Sequence, residues 1–481
     1  MTLDELFLLI PQLILLAAAA ALMLMQPFGR AASRRRLGLV TVAAVAAAAY
    51  ALQLQWGLTP RSIGGGMIRI DGFSLFFQWL FLVIAGLSAV LSADFNRREG
   101  IDRGEYYALL LTACSGMSLA AMSEDLILTF IGIEILSLST YILAGFKRRD
   151  IASGESSLKY FLLGSFATAI LLYGIALVYG ATGSTGYQAI RASAALEGGI
   201  PALLVAGLGL LLVGVGFKIG LVPFHSWIPD VYEGAPSPVT AFMAVGPKAA
   251  GIAALLRILA EALPGLAPDW APILWLLAVL TMTLGNAAAL VQSNIKRMLA
   301  YSAIAQAGYI LVGVVVHTRE GFTAALFYLV VYTVMSLVAF GVVLSLSGRG
   351  DRRVHLDDYA GLGRRAPWAA AAMGITLLAL AGIPLTGGFM GKFYLFGSAV
   401  REGFVGLAVI AVLNSVLSVY YYFRVLVYMY MKEAPEGAAD TDPVGRPVAA
   451  VLAIGVLLIL WLGVSPDRFL ALAGYSSLGL K

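Results

Sequence analysis

The chain has 481 residues, of which 60% are hydrophobic and only 12% charged, with a formal net charge of +5. Soluble domains carry about 25% charged residues, so this composition excludes a water-soluble globular protein and points to a polytopic membrane protein. One cysteine and three histidines exclude a disulfide framework and a cysteine-based metal centre; the basic residues sit in short loops between apolar runs, which excludes a nucleic-acid surface.

A helix crosses a bilayer core with about 20 apolar residues. Fourteen runs approach this length: 4–26, 37–57, 73–94, 106–122, 125–146, 157–180, 200–222, 237–262, 271–292, 298–317, 321–347, 367–400, 404–430 and 447–464. The first follows MTLDELF, which has two acids and no basic n-region, and precedes RAASRRR. That order of charges predicts a retained span with its N-terminus outside. If sides alternate, the loops of one face hold nineteen Lys and Arg, among them Arg30, Arg34, Arg35, Lys147 and Arg349. The other face, which includes Lys481, holds seven. This asymmetry follows the positive-inside rule and predicts both termini on the outer side. The loops leave no room for a soluble domain.

A charge at bilayer depth costs roughly 2.5–3.5 kcal/mol and needs a partner, water or a function. In chain order, the first is Glu134, near the middle of LTFIGIEILSLSTYIL. It must be protonated or paired, and Lys218 is the expected partner. Lys159 lies just inside its run and is as well suited to snorkelling as to function. Lys218 stands in GFKIGLVPFHSWIPDVYEGAPSP, where proline opens the helix; this is tolerated where the freed groups line a cavity or meet protein. His225 follows that break and suits either a proton relay near neutral pH or a loop hydrogen bond. Lys248, in AFMAVGPKAAGIAALL, lies about 15 Å along its helix, too deep to reach the surface easily. Arg257 and Arg424 fall towards span ends and read as interfacial anchors. The run 367–400 is too long for one span and contains GIPLTGGFMGK, so one broken helix carrying Lys392 is expected there. The aromatic stripe YYYFRVLVYMY reads as interfacial belt and core.

Spans four to eight and nine to thirteen each make five helices, and an odd number sets two successive units in opposite orientation. Each has a proline-broken helix bearing a lysine as its fourth member, Lys218 or Lys392, the pattern of inverted-repeat transporters. The second unit has no mid-membrane acid to match Glu134; its second helix offers Ser302 and Gln306. The expected fold is all-α, with about fourteen transmembrane helices, discontinuous at the seventh and twelfth. The expected divisions are 1–104 for three leading helices, 105–265 and 266–432 for the repeats, and 433–481 for the last helix. One acid and three lysines at depth, with no metal or phosphate motif, point to proton handling. Burial lowers the pKa of a lysine and a nearby carboxylate raises it, so a movable pair is a switchable proton site.

The stretches PFHSWIPDVYEGAPSPVTAFMAVGPKAAG, QSNIKRMLAYSAIAQAGY and GIPLTGGFMGKFYLF resemble the antiporter-like, proton-conducting subunits of respiratory complex I, NADH-quinone oxidoreductase. The forms PDVYEGAPSPVTAF and GPKAA, and the lysine at 392, resemble the N type rather than the L or M types. The resemblance implies a hydrated polar axis along the membrane midplane, with Glu134 paired to Lys218, Lys248 as central relay and Lys392 in the second half-channel. Lys159 would be a further lysine of the sixth helix and His225 the histidine after the seventh-helix break. It also implies a place in the bacterial inner membrane beside the M, L, K, J, A and H subunits and the peripheral redox arm. FMN, iron–sulfur clusters and quinone would belong to those partner subunits and none to this chain. Two other readings are a cation/proton antiporter subunit of the Mrp type and a non-conducting membrane scaffold.

Overall fold

The structure is a computed structural model that describes residues 3–28, 36–194, 201–434 and 444–478; Arg30, Arg34, Arg35 and Lys481 lie outside them. In chain order, α1 (Leu3–Phe28) and α2 (Leu37–Gln53) lead to a hairpin of β1 (Arg61–Ile63) and β2 (Ile68–Ile70), paired antiparallel with Arg61 opposite Ile70. Then come α3 (Gly72–Arg98), α4 (Gly104–Met122), α5 (Leu126–Ala144), α6 (Ile151–Thr182), the short α7 (Tyr187–Ala194) and α8 (Ala202–Ile219). The short α9 (Trp227–Gly234) precedes α10 (Ser237–Arg257), α11 (Ala267–Leu290), α12 (Ile295–Val315) and α13 (Arg319–Leu346). Four-residue α14 (Leu362–Arg365), α15 (Pro367–Ala381), α16 (Gly387–Arg401), α17 (Val405–Met431), α18 (Arg446–Val464) and α19 (Asp467–Ser476) complete the described chain.

Among the described residues, eleven helices are long and apolar enough to cross a membrane. The shorter α2, the less apolar α4 and the α15–α16 pair account for the other three expected runs. The composition did not disclose the hairpin or the short α7 and α19, because each is too brief for an apolar count.

Both predicted breaks are present. Helix α8 ends at Gly220 (φ 85°, ψ 39°) and α15 at Gly382 (φ 88°, ψ 42°). Both glycines occupy the left-handed region, where a side chain is strained. After Gly220 the chain passes through the cis Val222–Pro223 bond and resumes as α9; after Gly382 it resumes as α16. The leading pairs of the two units pack by close glycine contact. A Cβ on Gly132 would lie 2.6 Å from Ala120 N, and one on Gly285 would lie 2.7 Å from Ala305 N. Small residues let backbones approach where lipid supplies no hydrophobic drive between helices.

The loops segregate into two faces. On one, Ile68 bridges Ser123, and Asp125 bridges Gly186. On the other, Asn294 bridges His355, and Lys147 Nζ donates to Gly350 O at 3.2 Å. These are called the hairpin face and the basic face below. Helix α10 runs between them with every residue buried.

Candidate functional site

The two helix breaks organise the site. A helix end leaves carbonyls without intrahelical partners, and its partial negative charge favours a cation. Ile219 and Ala381 stand one residue before Gly220 and Gly382, in the same place in each break. Lys248 Nζ donates to Ile219 O at 2.8 Å and to Ala303 O of α12 at 2.9 Å. Lys392 Nζ donates to Ala381 O at 3.1 Å, Leu380 O at 2.9 Å and Ser415 Oγ at 2.9 Å. Each break therefore has its last carbonyl held by an ammonium group. Lys392 comes from the second half of its own broken helix, whereas Lys248 comes from the helix that follows.

Lys218 differs. Its side chain is 4% exposed, yet Nζ has no hydrogen-bond partner. It lies 5.2 Å from the ring centre of Tyr141 and 5.3 Å from that of Tyr160. The expected direct pair with Glu134 is not formed: no ion pair within 4.0 Å joins them. Glu134 is half-buried on the flank of α5 and accepts from Thr168 Oγ1 at 2.6 Å. The separation has a simple cause: the rings of Tyr141 and Tyr160 pack against the Lys218 ammonium, and α6 supplies the carboxylate with a hydroxyl instead. Aromatic faces attract cations, and Lys392 is likewise 4.8 Å from the Tyr309 ring centre.

The second unit surrounds its lysine with uncharged polar groups. Asn286 Nδ2 donates to Tyr309 Oη at 3.0 Å, and Tyr421 Oη donates to Asn286 Oδ1 at 2.9 Å. Gln306 Nε2 donates to Leu380 O and to Tyr422 Oη, both at 3.3 Å, and Tyr328 Oη donates to Gln306 Oε1. Ser302 Oγ and Tyr422 Oη are 2.5 Å apart. Leu380 O thus accepts from both Gln306 and Lys392. Tyr421 and Tyr422 belong to the stripe read as belt and core; they are fully buried network members. Their position next to Arg424 in an apolar span was the one available signal.

The remaining candidates lie elsewhere. Lys159 joins an ion network at the basic face, with Glu155 at 2.7 Å and Asp230 at 2.8 Å; Arg297 bridges Asp230 and Glu233. Burial acts to raise the pKa of Asp230, but hydrogen bonds from Lys159 and Arg297 outweigh it and hold the carboxyl below its usual range. His225 is half-buried in the link between α8 and α9, where its carbonyl accepts from Ile228 N. It makes no ion pair or hydrogen bond to the three central lysines. Two expected anchors are corrected. Arg424 donates to Leu290 O at 2.8 Å and to Gln292 O, so it caps α11. Arg257 is fully buried and donates to Asp71, Glu261 and Ala121 O. Glu261 is four residues along the chain, but Asp71 and Ala121 come from distant segments, so position in the span could not reveal them. Among the described residues, no group of three His, Cys, Asp or Glu side chains is placed to hold a metal ion.

Residues 123–418 match the family described as NADH:quinone oxidoreductase/Mrp antiporter, transmembrane region. NADH-quinone oxidoreductase subunit N of Trichlorobacter lovleyi is 46% identical over 466 residues, covering 97% of this chain and 95% of the relative. A chain of respiratory complex I from Thermus thermophilus superposes with a TM-score of 0.82 at 36% identity, over 96% of this chain and 99% of that one. A chain of the Mrp complex from Dietzia sp. shares the fold, with a TM-score of 0.86 at 23% identity over 100% of this chain and 98% of that one. With its two lysine-held breaks and its similarity to these proteins over nearly all its length, the chain belongs to the NADH-quinone oxidoreductase subunit N family.

Proposed function

We propose that this chain is the proton-translocating subunit N of a membrane-bound NADH-quinone oxidoreductase, and that Glu134, Lys218, Lys248 and Lys392 carry the proton relay. The observation that carries this reading is the placement of three buried lysines at or beside two helix breaks, two of them on the carbonyls those breaks release. An ammonium group lodged on open backbone is a charge that the fold accommodates without a fixed carboxylate. Buried polar groups are served by protein or by water, and Lys218 has no protein acceptor. Water at Lys218 would connect it to the Glu134 flank.

The chain holds a path but no source of energy. Moving one charge against 100 mV costs about 2.3 kcal/mol. The drive comes from electron transfer between NADH and quinone in partner subunits, which hold the FMN and iron–sulfur clusters. Half-exposed Glu134 supports a lateral partner: against lipid its charge would cost roughly 2.5–3.5 kcal/mol, and a neighbouring membrane subunit would cover it. The excess of Lys and Arg on the basic face supports a cytoplasmic location for that face in a bacterial inner membrane, with the hairpin face and both termini outside. The repeats would run from 105 to 265 and from 266 to 432, with the leading helices in 1–104 and the last in 433–481. Lys159 serves the ion network of the basic face, and His225 is a secondary member of the path in the link between α8 and α9.

The test is redox-driven proton pumping by the assembled complex in vesicles. Lys248→Ala is expected to reduce pumping tenfold or more, which corresponds to about 1.4 kcal/mol or more of barrier. Glu134→Gln keeps the shape and loses the charge, so turnover should fall severalfold with assembly intact. Wild-type pumping in a fully assembled Lys248→Ala complex would leave only the scaffold reading.

A further inference from the structure

The outer end of α10 holds a second group of buried charges, well away from the lysines. Arg257 Nη2 donates to Asp71 Oδ1 at 2.7 Å, and Nη1 to Asp71 Oδ2 at 3.1 Å and to Glu261 Oε1 and Oε2 at 3.1 and 3.2 Å. Arg69 reaches Asp71 at 3.3 Å, Glu124 at 2.8 Å and Glu261 at 3.9 Å. Three carboxylates thus meet two guanidinium groups, and arginine does not give up its proton in a protein. With every acid ionised the group carries a surplus negative charge. Asp125, next to Glu124 in the chain, makes no ion pair with either arginine and stands outside this balance: its oxygens accept from Ile127 N, Leu128 N and Thr185 Oγ1. Among the described residues, Tyr187, whose hydroxyl pairs with Thr129 at 2.6 Å, is a further titratable side chain near Arg257 and Glu261.

The three acids are unequally served. Asp71 has a bidentate arginine, Arg69 and Ser74 N at 2.8 Å. Glu124 has Arg69 and Ser62 Oγ at 3.0 Å. Glu261 has Arg257 alone at hydrogen-bond distance, with no hydroxyl or backbone donor. It also sits in a π-turn, Ile258–Ala262, closed by Leu263 N to Ile258 O at 3.0 Å. Such turns recur at functional sites. Its side chain is 19% exposed on the hairpin face, while Arg257 beneath it is fully buried. It is therefore the member with both the weakest hold on its charge and a path to solvent.

We propose that this cluster is a proton-holding site at the outer end of α10, in which the surplus charge is balanced by one proton resident on Glu261 that exchanges with the medium on the hairpin face. The exchange breaks the Glu261 O–H bond, gives the proton to water and leaves a carboxylate held by Arg257. The site lies on the same helix as Lys248, so resting on the relay reading it becomes the release station of that path.

Infrared difference spectra of the assembled complex in membranes, recorded between acidic and alkaline outer medium, test the site directly. The expected result is a protonated-carboxyl C=O band that shifts in D2O and disappears in Glu261→Gln. Glu124→Gln provides the second arm: it leaves Glu261 in place but brings the five-group cluster to two acids against two arginines, so the band should disappear there as well. A band that survives in Glu124→Gln, or wild-type spectra identical to those of Glu261→Gln, would overturn the proposal. These spectra do not depend on pumping, so a failed relay reading and a failed proton site are separable. In pumping assays Glu261→Gln should lower the rate about threefold or more and flatten its dependence on outer pH; an unchanged pH profile would remove the release role.

Discussion

The two five-helix units solve the same structural problem and differ in how they surround the solution with charge. In both, a helix stops at a left-handed glycine and the carbonyl just before it is taken by a lysine: Ile219 O by Lys248, Ala381 O by Lys392. The first unit then adds Lys218, without a protein acceptor, and Glu134 on its flank. The second adds no charge, and builds a network of Asn286, Gln306, Tyr309, Tyr421 and Tyr422 around its break. The lesson is that a lysine at a break has two separable duties. One is to satisfy open backbone, which is structural. The other, on the relay reading, is to carry a proton: Lys218 has all its hydrogen-bonding capacity free for water, whereas Lys392 would first release one of its three acceptors.

The largest expected effect comes from separating the units. Asp351, in the loop after α13, accepts from Ser237 N at 2.9 Å and Oγ at 2.7 Å, at the start of α10, and from Lys296 Nζ of α12 at 3.3 Å. Asp351→Asn would leave the buried Lys296 ammonium with neutral acceptors and no carboxylate, and breaking such a pair costs about 3–5 kcal/mol; denaturant unfolding of the purified complex measures it. Burial acts to raise the pKa of Asp351, but Lys296 and Ser237 outweigh it and hold the carboxyl below its usual range. The stabilisation is then complete above about pH 4 and is lost as pH falls through the depressed value. An acid-unfolding limb unchanged in Asp351→Asn would show that Asp351 does not clasp the units.

Next in size is the contrast between Lys218→Met and Lys392→Met. Both should reduce pumping tenfold or more, about 1.4 kcal/mol of barrier. Only Lys392→Met should also lower stability, by about 0.5–1.5 kcal/mol, because it removes one of two donors from each of the Leu380 and Ala381 carbonyls and leaves Gln306 and Ser415 as the other. Equal destabilisation by Lys218→Met would mean that the ammonium at 218 is bound to its surroundings as firmly as that at 392, and the division of duties would fail.

Much of the fold was legible because a membrane imposes length and polarity on each span. All fourteen apolar runs became helices, with 367–400 divided in two, and Pro223 and the GIPLTGGFMGK segment marked both breaks, although each helix stops at a glycine just before the proline. The buried lysines stood out because charge is rare at that depth. What stayed hidden depends on packing between distant segments. Nothing local says that Arg257 meets Asp71 from the hairpin, or that Tyr421 and Tyr422 turn inward while neighbouring Tyr420 is exposed. The Glu134–Lys218 contact failed for a related reason: depth alone could not show the rings of Tyr141 and Tyr160 around that lysine.

Lys159 gives the smallest expected effect and sharpens the contrast within the first unit. It is a lysine on the helix next to Glu134, and by residue type alone it belongs with Lys218. Its surroundings say otherwise: Glu155 and Asp230 both hold it at the basic face, and Asp230 is held in turn by Arg297. A partly exposed ion pair of this kind contributes little, because water screens it and two long side chains must be ordered. Lys159→Met should leave pumping and its pH profile at wild-type values, and Asp230 should keep its charge through Arg297. Paired measurements on Lys159→Met and Lys218→Met in the same vesicles decide the matter. If Lys159→Met reduces pumping as far as Lys218→Met does, the basic-face network is part of the proton path, and pairing with fixed carboxylates does not exclude a lysine from the relay.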